Sequence, residues 1–275
     1  MSFIKKKNKK FLKLYIIILV ILLIVLFVFL GKYIYNSFKK YYVLESRFEE
    51  LEKAKEKDND KFHTIGWLKI QGTNIDFPIL KGVSENVDSP VELESFGWVY
   101  GFDEEYHNVM NIYGHNVFNL GPSPKLKSDN FKRFEELMNF IYYDFAKDNK
   151  YIQLTINGKE YIYKIFSVSI LYAGDVVLFP KDEYTVSEKD KYLKQLQKNN
   201  LYKYNLDINK DDNIITVTTC TKFFGTDSYR NILVSGRLLR DGEKLNDYSV
   251  KKDSNYKKVE EILKGDDGNE EIGSA

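Results

Sequence analysis

The chain has 275 residues and a formal net charge of +1, and 43% of the residues are hydrophobic. Because Cys220 is the only cysteine, an intramolecular disulfide is excluded, and the thiol is either incidental or a free, reactive group. Residues 1–40 hold nine of the 41 basic residues and no acid, so the remaining chain is mildly acidic and shows no nucleic-acid-binding footprint.

The N-terminal segment predicts a membrane anchor. Residues 1–13 contain six lysines, and an unbroken apolar run at residues 14–30 follows. At 1.5 Å per residue, this run spans roughly 26 Å, close to the hydrocarbon thickness of a bilayer. The excess of lysine before it places residues 1–13 in the cytoplasm and everything after a transmembrane segment at 14–31 outside the cell. The competing interpretation, a cleaved signal peptide, lacks an A-x-A-like site, because the first alanine is Ala54.

Residues 32–61 predict a helical stalk, because apolar side chains recur there at spacings of three and four. Its apolar stripe favours packing on the following domain over a solvated spacer.

Residues 62–240 predict one domain of mainly β structure with a sizeable core. Asn157-Gly158 lies between two strand-like runs and predicts a β-hairpin. Helical patterns occur at residues 130–145 and 187–199, the second with a capping box of Ser187 and Asp190. Short strands with helices in the long connections predict a closed antiparallel barrel. The predicted strands are residues 65–70, 75–80, 96–100, 108–113, 151–156, 161–171, 214–219 and 232–239.

Residues 241–275 predict a polar C-terminal tail. One short amphipathic helix, stopped by Gly265, is expected at residues 254–263, with disorder elsewhere.

Three histidines are candidates for acid–base chemistry. His63 lies between the predicted stalk and the domain, and His107 lies in a polar stretch, so both are expected at the surface. His115 follows a predicted strand and Gly114, a placement that presents a polar group at a barrel rim. Taken alone, each histidine is more often structural than catalytic.

Cys220 also lies at the end of a predicted strand. Alternation places its thiol on one face with the hydroxyls of Thr216 and Thr218. The loop at 221–229 leads to another strand, and pairing of the two strands as a hairpin returns Arg230 beside Cys220. A guanidinium there favours a thiolate and can bind an oxyanion. Alone, the cysteine is more often buried filler.

No metal or cofactor site is predicted. One cysteine and three scattered histidines have no metal-ligand spacing. The sequence also lacks a phosphate-binding glycine loop and a G-x-S-x-G nucleophile elbow.

Together these motifs resemble the sortases, the membrane-anchored cysteine transpeptidases of Gram-positive cell surfaces. The family's TLxTC motif matches TVTTC at residues 216–220, with Val217 in place of leucine, and Arg230 follows after a short loop. NIYGHN at residues 111–116 matches the histidine motif. The segment at 66–80 and the helical insert before the cysteine strand are similar to class B sortases in particular. The chain departs from the family in a longer segment after His115 and in its C-terminal tail.

The resemblance implies a mechanism. Cys220 attacks the carbonyl after threonine in a sorting signal of LPxTG or NPxTx type, His115 protonates the leaving amine and Arg230 stabilises the oxyanion. An amine of a cell-wall precursor or a pilin subunit then resolves the thioacyl-enzyme. Thr218 and Leu93 are the implied substrate contacts. A paired acid and base predict a bell-shaped pH profile.

Two other classes of protein are alternatives to this interpretation, another cysteine enzyme and a non-catalytic binding protein. L,D-transpeptidases carry a glycine before the cysteine, which residues 218–221 lack, and papain-like peptidases place cysteine before histidine. A membrane-anchored, non-catalytic β-barrel that binds a surface protein or wall component is the alternative from a different class. The presence of Cys, His and Arg at three separate strand ends favours the enzyme.

Overall fold

The computed structural model divides the chain into two compact units, Met1–Lys53 and Ala54–Ala275. Leu93, His107 and His115 lie outside the described residues. The described residues are 15–34, 49, 51–56, 62–82, 97–99, 108–114, 116, 134–156, 158–172, 184–221, 223–224 and 230–270.

The first unit contains one long apolar helix, α1, at Tyr15–Ile34, with a mean hydropathy of 3.0. Its 20 residues extend about 30 Å, the hydrocarbon thickness of a bilayer. Length and composition suit a membrane anchor and a signal sequence equally. Of the predicted stalk, residues 51–55 are helical.

The second unit is mainly β, as predicted, and each predicted strand overlaps an observed one. The short strands β7 and β10 were not predicted. The strands are β1 (Phe62–Ile70), β2 (Asp76–Gly82), β3 (Gly97–Val99), β4 (Val109–Tyr113), β5 (Tyr151–Ile156), β6 (Lys159–Tyr172), β7 (Tyr202–Tyr204), β8 (Ile214–Thr221), β9 (Arg230–Leu238) and β10 (Val250–Lys252).

Eight strands pair in the order β1-β2-β3-β4-β8-β9-β6-β5, and β5 pairs in turn with β1. The prediction that this barrel is antiparallel is wrong at two positions, because β2–β3 and β4–β8 are parallel. Parallel neighbours need a long crossover, and the connection from β4 to β8 includes β5, β6 and β7. The barrel has its shortest strand pairing between β3 and β4, where only Trp98 and Tyr113 pair among the described residues.

The predicted hairpin between β5 and β6 is confirmed. Ile156 pairs with Lys159, and Gly158 in the turn has a φ of 67°. Glycine adopts this left-handed conformation without the steric cost of a β-carbon, which is why Asn-Gly marks such turns.

The predicted helix at residues 130–145 is a 3₁₀ helix, Phe134–Ile141, followed by α2, Tyr143–Asp148. Tyr142 separates them with an extended backbone, at φ −82° and ψ 123°. The helix predicted at 187–199 is α3, Val186–Lys198.

The capping box of α3 lies two residues before its predicted position. The hydroxyl of Thr185 accepts a hydrogen bond from the backbone N–H of Glu188 at 3.3 Å, and the Glu188 carboxylate accepts one from the Thr185 N–H at 3.0 Å. Ser187 lies inside the helix, where it cannot serve as the N-cap residue.

The two faces of β8 belong to two different hydrophobic clusters. Ile215 and Val217 lie in the main cluster with side chains from most other strands, so this face fills the barrel. Ile214 lies in a second cluster with Tyr192 and Leu196 of α3. The helix therefore covers the outer face of β8.

The C-terminal segment is structured, contrary to the expectation of a largely disordered tail. β10 pairs with β7, and the helix α4 extends over Tyr256–Glu270, through Gly265, where it was predicted to stop. Tyr256 and Val259 are at most 4% exposed and belong to the main core cluster. The few apolar residues of a polar segment therefore suffice to attach it to the barrel.

Candidate active site

Cys220 lies one residue before the end of β8, and its side chain is exposed, whereas the other seven side chains of the strand are buried. Thr216 and Thr218 lie on the same face by alternation and are 0% and 3% exposed. Burial along this face therefore ends at the thiol, so the strand presents Cys220 to solvent.

The end of β4 is hydrogen-bonded to β8 beside Cys220. The N–H of Gly114 donates to the carbonyl of Thr218 at 3.0 Å, and the hydroxyl of Thr219 donates to the carbonyl of Gly114 at 2.6 Å. Asn116 bonds Cys220 itself. The chain on either side of position 115 is thus held against the strand that carries the thiol, although His115 lies outside the described residues.

Asn116 makes two contacts with Cys220. Its side-chain amide donates to the Cys220 carbonyl at 3.0 Å, and its backbone carbonyl accepts the thiol of Cys220 at 3.6 Å. The side chain of Asn116 is 3% exposed. The sequence alone did not identify Asn116 as a contact of Cys220. The position of Asn116 directly after His115 was the one indication in the sequence. That Asn116 contacts Cys220 depends on the pairing of β4 with β8, which the sequence does not reveal.

Gly114 is required by a close approach of Phe134, at the start of the 3₁₀ helix. A β-carbon at position 114 would lie 2.1 Å from the Phe134 ring, which is fully buried. The glycine therefore lets the 3₁₀ helix pack directly under the chain that leads to residue 115.

The predicted pairing of the cysteine and arginine strands is confirmed, with one difference in register. Cys220 pairs with Asn231, and Arg230 pairs with Thr221. Because opposite residues share a face, Arg230 starts on the face opposite to the thiol. Its guanidinium carbon lies 3.7 Å from the ring centroid of Tyr172 and 5.0 Å from that of Phe224. Its Nε is buried without a hydrogen-bond partner among the described residues.

The hydroxyl-lined face of β8 has a structural role near its middle. The hydroxyl of Tyr192 donates to Asn111 Oδ1 at 3.1 Å and also bonds the Thr216 hydroxyl, which in turn bonds Ser235 at 2.9 Å. Burial raises the pKa of Tyr192 well above its ordinary value, so its hydroxyl remains a donor. Thr218 shares this face but is buried, and Leu93, the other predicted substrate contact, lies outside the described residues.

Within the described part of the chain, no three His, Cys, Asp or Glu side chains are grouped so that they could hold a metal ion. His63 lies on β1 with an exposed side chain, in agreement with its predicted surface position.

Comparison with known proteins relates these features to one family. A family model described as the sortase domain matches residues 68–239. Sortase B of Staphylococcus aureus (strain NCTC 8325 / PS 47) is 21% identical over 210 residues, which cover 72% of this chain and 80% of the relative.

Solved structures show the same fold. The X-ray structure of Clostridium perfringens sortase B shares 25% identity with a TM-score of 0.55, and covers 69% of this chain and 99% of its own. The Staphylococcus aureus sortase B–substrate complex shares 16% identity with a TM-score of 0.55, and covers 74% of this chain and 93% of its own. The match to the family model ends at residue 239, before β10 and α4.

Proposed function

Because the chain belongs to the sortase family of cysteine transpeptidases and is most similar to class B sortases, we propose that Cys220 is its nucleophile. The proposed substrate is a surface protein with a C-terminal sorting signal of LPxTG or NPxTx type. The acceptor is an amine of a cell-wall precursor or a pilin subunit. The observation that carries this proposal is the exposed thiol at the end of β8, hydrogen-bonded to the segment that contains His115.

The first half-reaction forms a thioester. The Cys220 thiolate attacks the carbonyl carbon of the peptide bond that follows threonine in the sorting signal, which is the threonine's own carbonyl carbon. A tetrahedral oxyanion forms. When the C–N bond breaks, His115 gives its proton to the leaving amine. The acceptor amine then attacks the thioester, transfers a proton to His115 and releases the thiolate, which restores the enzyme.

The geometry around Asn116 supports the role of His115. Gly114 and Asn116 both hydrogen-bond β8 within two residues of Cys220, so the chain enters and leaves position 115 next to the nucleophile. A general acid must come within hydrogen-bond reach of the leaving group. A short segment held at both ends allows this with little loss of entropy on binding.

Arg230 is the proposed oxyanion donor. A guanidinium has five N–H groups in one plane, and contact of its face with the Tyr172 ring leaves that plane available to an acceptor. Arg230 begins opposite Thr221 on β8 and pairs on its other side with Tyr172 of β6, whose ring its guanidinium contacts. Because Cys220 pairs with Asn231, the residue after Arg230, the proposed donor and the thiol lie at the same end of the β8–β9 pair.

We further infer that α1 anchors the protein and that the barrel lies outside the cell. The lysines of residues 1–13 favour a cytoplasmic N-terminus. Since Cys220 is the only cysteine, a membrane-impermeant thiol reagent tests this in intact cells. Labelling without permeabilisation is expected; labelling only after permeabilisation would contradict the orientation.

The catalytic proposal is tested by capture of the acyl-enzyme. The full chain in detergent is incubated with a panel of LPxTG- and NPxTx-type peptides, and its intact mass is measured. An adduct on the wild type that is absent from Cys220→Ala is expected. Cleavage by Cys220→Ala at the wild-type rate would refute a Cys220 nucleophile, and absence of any adduct on the wild type would refute transpeptidation of these signals.

A further inference from the structure

The C-terminal helix α4 reaches the loop that joins the cysteine and arginine strands. Nζ of Lys258, in the first turn of α4, lies 5.0 Å from the ring centroid of Phe224. The same ring lies 5.0 Å from the guanidinium carbon of Arg230. Phe224 therefore contacts both a cation of the helix and the proposed oxyanion donor. Lys258 lies beyond residue 239, where the match to the sortase domain ends.

The Lys258 side chain is exposed, but the helix backbone that carries it is held by the core. Its neighbour Val259 is fully buried, and Tyr256 two residues before it is 4% exposed. Phe223, next to Phe224, is 6% exposed and belongs to the same hydrophobic cluster as these two residues. Helix and loop are thus attached to one core, so the contact between Lys258 and Phe224 joins two anchored elements.

Among the described residues, the partners of the Arg230 guanidinium are aromatic rings and not a carboxylate. The guanidinium lies on the Tyr172 ring and against Phe224, and its Nε is without a hydrogen-bond partner among the described residues. A carboxylate would occupy the N–H donors that an oxyanion needs. Ring faces attract the cation but accept no strong hydrogen bond in its plane. Among the described residues, the ring contacts therefore hold the guanidinium without occupying the N–H donors that a substrate oxyanion needs.

We propose that Tyr172, Phe224 and Lys258 are positioning residues for Arg230, and that α4 is thereby a functional extension of the catalytic domain. Tyr172 and Phe224 hold the guanidinium, and Lys258 fixes the orientation of the Phe224 ring from the helix. The inference rests on the proposed function, because it assigns these residues to the reaction that Arg230 assists. It predicts that loss of the Lys258 contact with Phe224 alters the chemical step while leaving the thiol accessible.

The test uses single variants of the full chain in detergent and the peptide from the panel that best acylates the wild type. Tyr172→Leu and Phe224→Leu are expected to lower kcat about fivefold, and Lys258→Met about two- to threefold, with KM changed less than about twofold. Tyr172→Phe keeps a ring and should retain most of the wild-type kcat. Lys257→Met, an exposed lysine on the same helix, is the matched control and should have no effect.

Two further measurements separate positioning from a loss of fold. Alkylation of Cys220 by iodoacetamide should proceed at the wild-type rate in Lys258→Met, because the thiol itself is unchanged. In an Arg230→Ala background, Lys258→Met and Tyr172→Leu should cause no further loss of kcat, since their effect acts through the guanidinium.

The outcomes separate failure of the positioning inference from failure of the proposed catalytic role of Arg230. If Arg230→Ala cleaves the peptide at the wild-type rate, the proposed role of Arg230 is wrong. If Arg230→Ala is impaired but Lys258→Met, Phe224→Leu and Tyr172→Leu are as active as wild type, or lower kcat equally with and without Arg230, only the positioning inference is overturned.

Discussion

The carboxamide of Asn116 and the backbone of Cys220 are joined by a hydrogen bond of 3.0 Å, and the Cys220 thiol approaches the Asn116 carbonyl at 3.6 Å. One residue therefore fixes both the backbone and the side chain of the proposed nucleophile. Only the thiol can make this contact, because a thiolate has no proton to donate to a carbonyl. Activation of Cys220 must then break this contact, while the amide contact keeps the backbone in place.

Replacement of Asn116 by alanine removes the amide that holds the Cys220 carbonyl. We expect kcat/KM for peptide cleavage to fall about three- to tenfold, in line with the loss of one buried hydrogen bond. Asn116→Asp should be more severe, because a carboxylate oxygen would face the Cys220 carbonyl. Steady-state kinetics of the two variants measure the effect.

Asn255→Ala is the control for this prediction. Asn255 also donates from its side-chain amide to backbone carbonyls, those of Lys198 and Asn200 at 2.9 and 3.0 Å, but it precedes α4. Its loss should lower the melting temperature without changing kcat/KM. If Asn116→Ala behaves in the same way, the Asn116 amide has only a structural role.

Gly114→Ala should impair both stability and cleavage. The new β-carbon would overlap the buried Phe134 ring, and such overpacking costs about 1–3 kcal/mol. The chain next to position 115 must shift to relieve it. Thermal unfolding and peptide cleavage are measured together, and Phe134→Leu in the same chain should restore part of the activity by making room for the β-carbon.

Gly158→Ala provides the comparison. Gly158 has a φ of 67° with open space around it, so alanine there costs about 1 kcal/mol of backbone strain without any overlap. Its hairpin lies at the opposite end of β6 from Tyr172, the residue that pairs with Arg230. Reduced stability with unchanged kcat is expected, and a similar drop in kcat for both glycine variants would argue that Gly114→Ala acts only through stability.

The strands were predictable because their signals are local. Alternation and turn residues identified β5 and β6, and the glycine conformation in their hairpin explains why Asn157-Gly158 was informative. The parallel pairing of β4 with β8 was not predictable, because no neighbouring residues encode it. For the same reason the Asn116–Cys220 contact could not be found, although both residues stand in the motifs.

Two predictions were wrong for physical reasons that the sequence alone does not show: the N-cap residue of α3 and the disorder of the C-terminal segment. A hydroxyl residue followed three positions later by an acid occurs twice at the start of α3, and only the structure shows that Thr185 is the N-cap residue. In the C-terminal segment, Tyr248, Val250 and Val259 are spread among charged residues but are at most 5% exposed. The polar composition of residues 241–275 had predicted disorder. A few buried apolar side chains are nevertheless enough to hold this segment against the core.

Tyr192→Phe should lower stability without affecting catalysis. The Tyr192 hydroxyl donates to Asn111 and bonds Thr216 beneath α3, so its removal takes the donor from the buried Asn111 oxygen and a hydrogen-bond partner from the Thr216 hydroxyl, at a cost of about 1–2 kcal/mol. Thr216→Val in the same chain should cost less than the sum of the two single changes. Chemical denaturation measures the free energies of unfolding, and additive effects would show that the two hydroxyls are not coupled.

Glu243 should be essential for stability at neutral pH, because it is the carboxylate bound to the buried Arg237, whereas the buried Lys164 is paired mainly with Asp247, at 2.6 Å. Lys164 and Arg237 pair directly across β6 and β9 and are 1% and 0% exposed. Glu243 binds Arg237 through two bonds of 2.5 and 2.6 Å and lies 3.7 Å from Lys164. Glu243→Gln would leave Arg237 without its carboxylate, at a cost of about 3 kcal/mol. Asp211→Asn, at an exposed ion pair with Lys210, should cost less than about 0.5 kcal/mol.

The lowered pKa of Glu243 predicts how the stability of the protein changes with acid pH. The hydrogen bonds from Arg237 lower the pKa of Glu243 from 4.5 to about 2. A lowered pKa means that the ionised form stabilises the folded state fully above about pH 4.5, and that this contribution is lost as the pH falls toward 2. Acid titration followed by circular dichroism should show that the difference in stability between wild type and Glu243→Gln is constant above pH 5 and shrinks below it. A difference that stays constant down to pH 2 would mean that the Glu243 carboxylate does not stabilise the fold through its charge.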